Sequence, residues 1–87
     1  AAFEIAEARV RFEQARRAVA VYQGGVLPLA RRNLETVRET YELGRATVLD
    51  VLTEQRRFLE TERGYTEALR EAYASRVELD RATGDVR

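Results

Sequence analysis

The sequence predicts an all-α fold: a long antiparallel α-helical coiled-coil hairpin, its first helix kinked near Gly24 and Pro28. Three observations carry that expectation. Apolar residues recur at alternating steps of three and four along most of the 87 residues, the spacing of a helical seam. The stretch Leu43-Gly44-Arg45-Ala46-Thr47 interrupts the pattern once with adjacent stop and start signals. A chain that is 45% hydrophobic and 34% charged, with a single Pro, has the composition of long amphipathic helices.

The first helix is expected over residues 1–43. Ile5, Ala8, Phe12, Ala15, Val19 and Tyr22 form its seam, and Glu4, Glu7, Arg9, Arg11, Glu13, Arg16 and Arg17 fill the other face. The seam resumes at Leu27, Ala30, Leu34, Val37 and Tyr41. Between the two stretches the steps Tyr22, Val26, Ala30, Leu34 run in fours, like a stutter that locally unwinds a supercoil. Pro28 has no N–H, and its ring presses on the carbonyl four residues back, at Gly24. If Pro28 opened a separate helix, a Ser, Thr, Asp or Asn cap should precede it, but Val26 and Leu27 are apolar. One kinked helix is therefore expected rather than two helices of a three-helix bundle.

The tip turn is expected at residues 44–47. Gly44 suits the left-handed position that ends a helix, and Thr47 suits an N-cap. Asp50 stands three residues later, where a carboxylate reaches back to the cap N–H and meets the positive end of the helix dipole. So short a connection makes the helices antiparallel neighbours. The second helix is expected over residues 48–83, with Val51, Phe58, Tyr65, Ala72 and Leu79 at intervals of seven and Leu52, Leu59, Leu69 and Tyr73 beside them. Two adjoining seams imply more than one helical neighbour. Gly64 reads as a neutral surface glycine, a close helix approach being the alternative. Gly84 is expected to end the helix, with residues 84–87 as a tail.

Composition removes several functions. Lys+Arg and Asp+Glu number 15 each, so the basic excess used to bind nucleic acid or an anionic membrane surface is missing. Without Cys or His there is no thiolate, imidazole or ordinary zinc site, and neither enzyme activity nor a cofactor is expected. The neighbouring acids Glu60 with Glu62, Glu67 with Glu71, and Glu78 with Asp80 alternate with Arg at helical spacing, the pattern of a solvated, ion-paired face. Four apolar residues at the tip (Val48, Leu49, Val51 and Leu52) lie on more than one side of a first helical turn. Hairpin packing and docking of the tip to another protein both account for them.

The string Tyr41-Glu42-Leu43-Gly44-Arg45-Ala46-Thr47-Val48-Leu49-Asp50-Val51-Leu52, with Gln55-Arg56-Arg57 and Glu78-Leu79-Asp80-Arg81-Ala82-Thr83-Gly84 after it, resembles the second helical repeat of TolC-like outer-membrane efflux proteins. Val26-Leu27-Pro28-Leu29-Ala30 is similar to the same family, so the likeness spans nearly the whole chain. It implies a fragment of a larger channel subunit, periplasmic and itself outside the membrane, whose β-barrel lies elsewhere in the protein. Three subunits of such a channel build a tunnel, and the hairpin tips at its entrance meet the hairpin of a periplasmic adaptor protein. The adaptor links the channel to an inner-membrane pump.

Carried onto this sequence, the resemblance places Gly44, Arg45, Thr47, Val48 and Leu49 at the adaptor-docking tip, and Tyr41 and Asp50 at the channel entrance. Ala46 stands where the family has the arginine that partners the tyrosine, and Thr53 replaces a second entrance aspartate. The alternative expectation is a stand-alone helical module that self-associates through its apolar stripes.

Overall fold

The structure, a computed structural model, describes residues 2–84. It is an all-α helical hairpin in which α1 (Ala2–Val21), a π-helical turn (Tyr22–Val26) and α2 (Leu27–Glu42) form the first arm and α3 (Val48–Gly84) the second. Residues 43–47 connect them. The chain divides into two compact units: Ala1–Ala20 with Thr66–Arg87, and Val21–Tyr65.

The first arm is continuous, as expected, and the irregularity takes the form of the π-turn. The N–H of Leu27 reaches Tyr22 O, five residues back, and the extra residue implied by the run of fours is absorbed in this wider turn. Both flanking residues stay in the right-handed helical region, Val21 at φ −62° and Leu27 at φ −68°. Pro28 falls in the first turn of α2, where its fixed φ is compatible with a helix.

The seam of α3 never breaks. Half-buried or buried positions recur at Val51, Glu54, Phe58, Thr61, Tyr65, Ala68, Ala72, Ser75, Leu79 and Ala82, the three-four alternation along the whole helix. The first unit also holds buried Ala8 and Ala15, and the second buried Leu34. Small residues dominate, and no large side chain among the described residues is fully buried. The chain exposes 6811 Å² of surface, against about 5,200 Å² for a folded monomer of 10.0 kDa. The hairpin thus buries little apolar surface of its own.

The second row on α3 stays outside the hairpin. Leu52, Leu59, Leu69 and Tyr73 are all exposed, Tyr73 by 75%. Two boundaries move by one residue. The first helix ends at Glu42 rather than 43. Gly84 belongs to α3, and Gly44 alone among the described residues has positive φ, so Gly84 is not the left-handed stop expected of it. The rest of the expected tail, residues 85–87, lies outside the described residues.

Candidate functional site

The tip is built by two local motifs back to back. At the end of α2, Leu43 leaves the helix at φ −80°, ψ 0°, and Gly44 turns to φ +76°, a conformation that costs a residue with a Cβ. The Gly44 N–H then donates to Tyr41 O at 2.9 Å and the Arg45 N–H to Thr40 O at 3.0 Å. These are the paired bonds of a Schellman motif, and they satisfy carbonyls that the helix end would leave without donors.

Two residues later α3 begins with a reciprocal capping box. The Thr47 hydroxyl accepts the Asp50 N–H at 3.1 Å, and Asp50 Oδ2 accepts the Thr47 N–H at 2.9 Å. A carboxylate at this position also faces the positive end of the α3 dipole. The sequence-predicted roles of Gly44, Thr47 and Asp50 in the turn are thus met. Thr53 is turned back on its own helix, its hydroxyl donating to Leu49 O at 2.9 Å.

Between these motifs the turn presents an apolar surface. Val51 is half-buried within the hairpin, but Val48, Leu49 and Leu52 are exposed, Leu49 by 71%. Leu43 joins them at 72% exposure. Hairpin packing therefore accounts for one of the four apolar residues that open α3. Arg45 is exposed and Ala46 half-buried. Tyr41, expected on the seam, is 44% exposed; Thr40 takes the half-buried place beside it, its hydroxyl held by Thr36 O at 2.8 Å. All seven residues singled out from the sequence lie within this tip. Leu43 was not among them, although an apolar residue directly before the turn glycine was its visible signal.

Three of the neighbouring acids on α3 pair with arginine side chains. Glu67 pairs with Arg70 at 2.8 Å, Asp80 with Arg76 at 3.4 Å, and Glu78 with Arg11 of the facing helix at 3.3 Å. Among the described residues no group of three or more acids is placed to hold a metal ion. Arg16 donates to both carboxylate oxygens of Glu13, at 2.9 and 3.4 Å; the hydrogen bond and the charge of Arg16 hold the Glu13 carboxyl below its ordinary range. No helix among the described residues is long and apolar enough to cross a membrane. No protein-family model matches the chain, and neither a curated protein nor a solved structure is similar to it at a significant level.

Proposed function

We propose that the chain is the periplasmic hairpin of a trimeric TolC-like outer-membrane efflux channel, and that its tip docks onto the hairpin of a periplasmic adaptor protein. The observation that carries this reading is the exposed cluster Leu43, Val48, Leu49 and Leu52 on a turn fixed by a Schellman motif and a capping box. Exposed apolar side chains on a preorganised turn suit an interface, because little conformational entropy is lost when a partner covers them. The tip string of the sequence supplies the family. The exposed row Leu52, Leu59, Leu69 and Tyr73 supports lateral helical neighbours, as a tunnel wall of several subunits requires. In this reading Gly44, Arg45, Thr47, Val48 and Leu49 meet the adaptor, whereas Tyr41 and Asp50 face the entrance.

The test is binding of the chain to the hairpin of an adaptor protein encoded beside its gene, with Leu49→Arg as the variant. Leu49 contributes little to the hairpin interior, so a native helical circular dichroism spectrum with at least tenfold weaker binding is expected. Equal binding by Leu49→Arg removes Leu49 from the interface. The same exposed row on α3 also favours a self-associating helical module. That reading predicts concentration-dependent oligomers by sedimentation and no adaptor binding by either form.

A further inference from the structure

We propose that the π-turn and the stretch of α3 facing it form a latched hinge. The seam of α3 is regular, whereas the first arm carries one residue more than heptad spacing between Tyr22, which packs on α3, and buried Leu34. The π-turn takes up this residue, with Leu27 N–H bonded to Tyr22 O. The next donor in the ladder does not exist, because residue 28 is proline. The helix is thus thinnest in hydrogen bonds where it is also irregular.

The glycines point the same way. Neither Gly24 nor Gly25 has positive φ, and a Cβ on either would meet nothing within 4 Å. Neither space nor backbone conformation demands glycine in the closed state. What glycine supplies is readiness to leave the helix, by about fivefold per residue relative to alanine. The division between the two compact units falls between Ala20 and Val21 on one arm and between Tyr65 and Thr66 on the other. Each passage has glycine close by: Gly24 and Gly25 on the first, Gly64 on the second.

The latch lies wholly within the unit Val21–Tyr65. The Tyr22 and Tyr65 rings meet at a 48° tilt with centroids 6.1 Å apart, and Gln23 Nε2 donates to the Tyr65 hydroxyl at 2.9 Å. A Cβ on Gly64 would overlap the Tyr22 hydroxyl and lie 3.0 Å from its Cζ, so the absent side chain makes the notch in which Tyr22 rests. While Tyr22 and Gln23 are seated, the π-turn is held against α3. When they leave, the gap in the ladder at Pro28 and the glycine pair let the turn open without unfolding the packed helices on either side. This inference stands apart from the transport reading.

Amide hydrogen exchange measured by NMR on the full chain tests it. In the wild type, Val26 and Leu27 amides should exchange at least tenfold faster than those of Ala15 and Leu34. The double variant Gly24→Ala/Gly25→Ala should slow them by about 25-fold. Gly64→Ala, which evicts Tyr22, should speed them while leaving Ala15 and Leu34 unchanged. Tyr65→Phe, which removes only the hydroxyl that Gln23 bonds, should act in the same direction and keep the native fold. Protection at Val26 and Leu27 equal to that at Leu34, or rates unmoved by the double variant, would overturn the hinge. Rates unmoved by both Gly64→Ala and Tyr65→Phe would overturn the latch.

Discussion

Thr47 and Asp50 each satisfy the other's backbone N–H, through the Thr47 hydroxyl in one direction and Asp50 Oδ2 in the other. The first turn of α3 is therefore closed by its own side chains before any partner arrives. The Schellman bonds from Gly44 and Arg45 do the same for the end of α2. The tip can thus offer apolar side chains outward without depending on them for its shape.

Thr47→Ala removes the acceptor for the Asp50 N–H and should cost about 1 kcal/mol. For a chain of this size that is a fall in Tm of about 5 °C, read by circular dichroism at 222 nm. Thr47→Ser keeps the oxygen and should keep the Tm. If serine and alanine lower it equally, the cap is not the source of the loss.

Gly44→Ala forces a Cβ into the left-handed region and should destabilise the chain by about 1–2 kcal/mol. Gly44→Asn should cost less, since asparagine visits that region more readily. A urea titration that finds alanine no worse than asparagine contradicts the role assigned to φ +76°. The same conformation makes bulky residues at 44 poor probes of docking, because they would distort the turn as well as obstruct a partner.

What could be read from the sequence followed the range of the interactions. The capping box, the turn glycine and the α3 row at intervals of seven (Val51, Phe58, Tyr65, Ala72 and Leu79) follow a short-range pattern, and the sequence predicts these. The seam's alternate positions, Glu54, Thr61, Ala68, Ser75 and Ala82, are mostly small or polar and carry no apolar signal. The π-turn was visible only as steps of four, since spacing reveals a surplus residue but not how the backbone absorbs it. Gly64 reads as a surface glycine because its reason is the Tyr22 hydroxyl, on the other arm of the hairpin. Ser75 is buried without an apolar side chain to mark it. It is small enough to sit in the seam, and its hydroxyl donates to Glu71 Oε1 at 3.5 Å. The exposure of Leu43, Val48, Leu49 and Leu52 needed the fold, because periodicity cannot say which of two apolar rows the hairpin covers.

Glu13 titrates below its ordinary value of 4.5 because Arg16 binds its ionised form. A carboxyl whose pKa is depressed on folding stabilises the fold above its unfolded pKa, and that contribution disappears as pH falls through the folded value. Both side chains of the pair reach solvent, so the effect should be small and weakened by salt. NMR titration should give a Glu13 midpoint below 4.5 that moves back toward it in Arg16→Gln; an unmoved midpoint would exclude Arg16 as the cause.

Asp50 joins a demonstrated cap to a proposed place at a channel entrance, and the two roles separate on charge. Asp50→Asn keeps an oxygen able to accept the Thr47 N–H, so the Tm should fall by no more than about 5 °C, the loss expected from the carboxylate's interaction with the helix dipole. In the proposed trimeric channel the same change would remove one negative charge per subunit from the entrance, and cation conductance or block by divalent cations should decrease in planar bilayers. Asp50→Ala removes the cap as well and should lower both. Conductance unchanged by Asp50→Asn would leave the carboxylate with its capping role alone and place the entrance charge elsewhere.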